Sequence, residues 1–231
     1  MWYPGAGRLG LYPRSLWALK DRSRRFTISL QRYATSWLPE LRSELVPHIS
    51  LGNDAPGILS LFEYRPETAK PLCDLAEVLL RGPSSLTRGE RELIASYVST
   101  LNDCNFCASS HAAFAAAQLP EGMALVDQVR ADPAGAPVSA KLSALLRIAA
   151  AVQRSGKDVR AADVEAAREA GATDLEIHDT VLIAAVFCMC NRYVDGLATW
   201  APEDPEFYRQ RAALVATHGY AAATFTANRV T

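Results

Sequence analysis

The sequence predicts an all-α fold, and three features carry that expectation. Alanine is used heavily and runs of β-branched residues are few, which favours helices. Apolar residues recur at helical spacing, and no segment alternates apolar and polar residues convincingly at period two. Two Thr-x-x-Glu boxes, Thr87 with Glu90 and Thr173 with Glu176, each precede an apolar helical pattern and read as helix starts.

The elements follow in order from Leu38. Pro56-Gly57 opens a short helix through Leu61 and Phe62. Pro66 suits a first helical position, for a helix through Leu72, Leu75, Val78 and Leu79 that Gly82-Pro83 closes. The Thr87 box starts the next, with Leu93, Ile94, Tyr97, Val98 and Leu101 on its apolar face. Asn102-Asp103 interrupts it, and either residue can cap a helix running to Pro120. A helix with Leu125, Val126 and Val129 follows, then a loop from Asp132 to Pro137 and a strong helix from Val138 to Gln153. Ala161 to Ala170 forms another, ended by Gly171. The Thr173 box opens a long helix to about Thr199, and a last helix from about Glu203 to Ala216 leads into a polar tail.

The domain reading is therefore a basic extension at 1–32, an all-α domain at 33–216 and a C-terminal tail at 217–231. The extension carries Arg8, Arg14, Lys20, Arg22, Arg24, Arg25 and Arg32 against the single acid Asp21. It has a transit-peptide flavour, but an extension that orders on an oligomer or stays loose is the favoured reading. The two boxes also hint at a duplication. Aligning the threonine caps sets Cys190 over Cys104, but Tyr193 over Cys107 and His178 over Glu92, so a second copy would carry no centre.

Whole-chain numbers narrow the function classes. The 231 residues suit one sizeable domain, with 49% hydrophobic and 21% charged residues. A net charge of −1 and a pI of about 6.4 give no reason to expect nucleic acid or an anionic membrane as partner. The longest apolar run, Val181 to Cys190, is half of the roughly 20 residues a membrane span needs, and it reads as a buried helix. No apolar signal segment precedes the five cysteines, so a reducing cytoplasm is the expected compartment.

Cys104-Asn-Phe-Cys107-Ala-Ser-Ser-His111, with Glu92 twelve residues before the first cysteine, is where the chemistry concentrates. Thiols at i and i+3 at a helix start can close a disulfide, and a helix start stabilises a thiolate. His111 lies four residues beyond Cys107, on the same helical face, placed to take a proton. If the two helices pack antiparallel, Glu92 returns to the level of His111 and orients it. A redox pair is the favoured reading. A zinc site has only three ligands here and needs a fourth from Cys73, Cys188 or Glu92. Inert core cysteines are the third reading. Cys188 and Cys190, two apart on a helix, face different ways and read as core, as does Cys73. Asn191, Arg192 and Asp195 read as a polar network or subunit contact. His48, His178 and His218 have no partner pattern.

The set Glu92…Cys104-x-x-Cys107-x-x-x-His111 resembles the motif of the alkylhydroperoxidase AhpD-like family, within the carboxymuconolactone decarboxylase-like superfamily. The segment from about Trp37 to Tyr208, including Asn191-Arg192-Tyr193-Val194-Asp195-Gly196, resembles its peroxidase-related branch. The resemblance implies an all-α homo-oligomer (a dimer, trimer or hexamer) that reduces a hydroperoxide. Cys107 would attack and pass through a sulfenic acid, Cys104 would resolve it, His111 would be the base and Glu92 the end of the relay. No cofactor is implied beyond the Cys104–Cys107 disulfide and an external thiol reductant, either a protein or a small thiol. Better-known members carry a histidine just before the second cysteine, where this chain has Phe106. From that reading come two further expectations: Cys104 nearer the surface, and a cleft lined by Phe106, Tyr97 or Phe114. The rivals are a dithiol adaptor or sensor, a decarboxylase-type enzyme acting on a lactone, and a zinc-stapled module.

Overall fold

A computed structural model describes residues 46–225, which form nine α-helices and, among the described residues, no strand. They are α1 Ile58–Tyr64, α2 Pro66–Ala76, α3 Arg88–Leu101, α4 Asn105–Ala116, α5 Met123–Ala131, α6 Ala140–Arg154, α7 Ala161–Glu169, α8 Asp174–Gly196 and α9 Pro205–Phe225. The basic extension at 1–32 lies outside the described residues.

Both threonine boxes form as read. Thr87 accepts from the Glu90 amide while Glu90 reaches back to the Thr87 amide, and Thr173 and Glu176 do the same at α8. Pro66 occupies the first turn of α2. That helix then loosens into one π-helical turn, Glu77–Arg81, before Gly82, and Val78 points outward, 68% exposed, instead of packing. The last helix runs past Ala216 to Phe225, broken only at Gly219.

The core lies between α3, α6 and α8, where Leu93, Ile94, Val98, Leu145, Ile148 and Ile183 are fully buried. Each such aliphatic side chain contributes about 1.5–3 kcal/mol by leaving water. Of the described helices, α8 alone has the length and apolarity of a membrane span, yet it places Ile183, Ala184 and Phe187 in this core.

Small residues decide how the site is built. Ala95 on α3 and Ala108, Ala112 and Ala115 on α4 are buried and let the two backbones approach closely. The pairing is antiparallel: Ser96 Oγ donates to the Ala108 carbonyl at 3.2 Å, and the Cys104 amide donates to the Ser99 carbonyl at 3.1 Å. Helix α4 is buried on almost every side, because α9 covers the face that α3 leaves open.

Candidate functional site

The dithiol sits at the break between α3 and α4. Asn102 caps the end of α3, and Asp103 turns the chain with φ +56°, a conformation that aspartate tolerates better than most residues. Cys104, expected inside the first turn, is instead the N-cap residue of α4 in extended conformation, and its side chain makes no capping bond. Cys107 then stands at the third helical position.

The expectation that Cys104 lies nearer the surface is overturned. Cys104 is 0% exposed and Cys107 4% exposed. Both sulfurs belong to a small apolar cluster with Phe106, Phe114, Val194 and Tyr208, and α9 closes it from outside. The Phe106 ring fits only because Gly57 stands opposite; a Cβ there would lie 2.2 Å from the ring. Burial also outweighs the helix start electrostatically. A hydrogen bond with Cys104 and then burial push the Cys107 thiol well above its ordinary range, against a lowering bond from Asn191.

Antiparallel packing brings Glu92 and His111 together as the spacing required. His111 Nδ1 lies 2.6 Å from Glu92 Oε2, with Glu92 fully buried. Phe187 and Phe114 hold the imidazole edge-on, at centroid distances of 4.4 and 5.1 Å. The other Glu92 oxygen accepts from the Tyr220 hydroxyl at 2.5 Å. Tyr220 was not among the sequence candidates, since it falls in the stretch read as a loosely patterned tail.

A second wall comes from the end of α8. Asn191 joins α3 to α8, donating to Ser99 Oγ at 3.1 Å and accepting from Asn102 at 2.8 Å. Asp195 is within hydrogen-bonding reach of Cys104, and its carboxyl is raised by burial and by Asp103 despite that bond. Asp195 also lines a cavity of about 910 Å³ with Phe106, Ser109, Arg130, Trp200 and Tyr208. Phe106 is thus the only one of the three expected cleft aromatics in that lining. Tyr97 faces a separate hollow of about 290 Å³ beside α6, and Phe114 is packed in the thiol cluster.

The remaining cysteines divide. Cys188 is half-buried beside Asn102 and Gln153, away from the dithiol. Cys190 faces the other way, as its spacing demands, and burial pushes its thiol up to about 12, with Cys104 and Cys73 adding to the shift. Among the described residues no three His, Cys, Asp or Glu side chains converge as metal ligands would. His48, His178 and His218 are exposed.

The comparisons agree with this architecture. The model of the carboxymuconolactone decarboxylase family matches residues 66–119, the stretch holding Glu92, both motif cysteines and His111. A peroxidase-related protein of Silicibacter sp. TM1040 is 28% identical over 67% of this chain and 78% of its own, with a TM-score of 0.60. An AhpD-core, peroxidase-related protein of Ralstonia eutropha JMP134 is 27% identical over 67% of this chain and 82% of its own, with a TM-score of 0.61. No curated protein matches the chain. Motif, family model and fold point the same way, to a likeness with the AhpD-like, carboxymuconolactone decarboxylase-like superfamily.

Proposed function

We propose that the protein is a thiol peroxidase whose Cys104–Cys107 pair cycles between dithiol and disulfide. The observation that carries this reading is the buried His111–Glu92 contact of 2.6 Å, one helical turn from a cysteine hydrogen-bonded to its CxxC partner. With Nδ1 engaged by Glu92, Nε2 of His111 is the nitrogen left to take a proton from Cys107. That help is needed, because burial and the Cys104 bond hold Cys107 in its thiol form.

The cycle has three steps. Cys107 passes its proton to His111 and its sulfur attacks the terminal oxygen of a hydroperoxide; the O–O bond breaks, giving Cys107 sulfenic acid and, with the returned proton, an alcohol. Cys104 then attacks the sulfenic sulfur, with Asp195 placed to receive its proton and return it to the departing hydroxide, so that the disulfide forms and water leaves. An external dithiol, or two monothiols, finally reduces the disulfide and is itself oxidised. The apolar surroundings of the sulfurs favour a small organic hydroperoxide. The need for reduced thiols favours the cytoplasm.

Substitutions of the two cysteines test the order of events. Cys107→Ser should abolish peroxide consumption. Cys104→Ser should react once and leave a sulfenic acid on Cys107 that dimedone captures. Turnover surviving in both single variants would overturn the reading.

A further inference from the structure

Glu92 is the pivot of the relay, and a buried carboxylate needs both oxygens satisfied. His111 holds one. The other is held from the far end of the chain, through a series of contacts that begins at the π-helical turn Glu77–Arg81. Arg81 donates to the carbonyls of Val215 at 2.7 Å and Ala216 at 3.1 Å, fixing the last full turn of α9 before its break. Its Nε donates to Glu77 Oε1 at 2.9 Å, and Glu77 Oε2 accepts the Tyr220 amide at 3.0 Å. Between them Gly219 sits at φ +82°, and a Cβ there would come within 2.6 Å of Glu77 Oε2. The helix therefore breaks at the one residue without a Cβ, and the break points Tyr220 inward.

We propose that Tyr220 is a positioning residue of the Glu92–His111 pair, delivered by a C-terminal helix that the π-helical turn latches in place. Its hydroxyl donates to Glu92 Oε1 at 2.5 Å while Glu92 Oε2 meets His111 at 2.6 Å. Each carboxylate oxygen thus has its own partner, and the Tyr220 hydroxyl keeps Oε2 turned toward the imidazole. The Tyr220 ring lies nearly parallel to the His111 ring, at 17° and 6.3 Å between centroids. Burial and the adjacent Glu92 charge push the phenol well above its ordinary range, so it remains a donor over the working pH range. The other charged groups around the pair are Glu77 and Arg81 on the π turn, Arg91 on α3 and Arg211 on α9.

Tyr220→Phe removes the hydroxyl and keeps the ring. Without that hydroxyl Glu92 Oε1 loses its donor, the carboxylate holds the imidazole less firmly, and the pair draws the Cys107 proton less readily, so Cys107 reacts only at higher pH. The acidic limb of the pH–rate profile for Cys107 modification should move upward by about one unit, the value of one charge-assisted hydrogen bond. The profile is read twice, with cumene hydroperoxide and with iodoacetamide. Iodoacetamide reports the same proton transfer without needing peroxidase chemistry, and only the hydroperoxide arm tests the function on which this inference builds. A wild-type profile silent to hydroperoxide but shifted by Tyr220→Phe with iodoacetamide would sink the peroxidase reading and uphold the positioning role. Gly219→Ala, which keeps the hydroxyl but displaces the break, should shift the limb the same way. Superimposable profiles for wild type and either variant would overturn the proposal.

Discussion

Two helical units of this molecule start alike and end differently. Both α3 and α8 open on a Thr-x-x-Glu box, and aligning the caps sets Cys190 over Cys104. In the first unit Asn102 and Asp103 break the helix, the chain reverses, and α4 returns antiparallel along α3. The CxxC therefore falls at a fresh helix start, with Glu92 brought back beside His111. In the second unit the helix continues unbroken to Gly196, and Cys190 lies mid-helix with no thiol one turn away. The position equivalent to Glu92 is His178, exposed and bonded to its neighbour Asp179. A two-residue break, more than the cysteine itself, separates the unit that sets two thiols beside a His–Glu pair from the unit that does not.

The sharpest way to break that contrast is to exchange the fates of the two thiols. Cys107→Ser should lose all peroxide-dependent thiol oxidation, while Cys190→Ser should keep it; loss in Cys190→Ser would mean that Cys190 itself takes part in the chemistry. Next in size, His111→Gln or Glu92→Gln should slow the reaction of Cys107 by about a hundredfold, the lower end of what a placed base contributes. Unchanged single-turnover rates in either would remove the relay from the account.

Smaller effects separate the two caps. At α3, Glu90 is half-exposed and serves its box alone. At α8, Glu176 is buried and also accepts from Lys141 at 2.7 Å and Ser85 at 2.9 Å. Burial would raise the Glu176 carboxyl, but these partners hold it at about 2, against an ordinary 4.5. Because the folded value is the lower one, the stabilisation is complete above about 4.5 and is lost as pH falls toward 2. Lys141→Met should cost about 2 kcal/mol in urea titrations at pH 7 and much less at pH 3. Thr87→Ala should cost about 1 kcal/mol with little pH dependence between 5 and 8. Equal costs and equal pH profiles for the two would erase the distinction between the caps.

Most of the helices were legible in the sequence because Thr87, Thr173, Pro66 and Gly171 punctuate them locally. The meeting of Glu92 with His111 was legible too, since a short break between two apolar helices forces antiparallel return. What escaped depends on contacts distant in sequence. Cys104 is buried because α9, a hundred residues on, covers the start of α4, and no local pattern encodes that cover. Tyr220 follows a glycine in a polar stretch, and its inward turn is set by Glu77 and Arg81 far upstream. Asp195 reads from the sequence as part of a polar network or subunit contact at the end of an apolar helix; only the fold sets it beside Cys104.

The central claim is that Cys104 and Cys107, out of five cysteines, form one redox unit. The most direct test adds one equivalent of an organic hydroperoxide to the reduced protein, counts the remaining thiols and maps linkages by peptide mass spectrometry. The account predicts rapid loss of two thiols, a Cys104–Cys107 bond, and full recovery with a dithiol. Five unreacted thiols, or a bond that joins Cys188 or Cys190 instead, would contradict it.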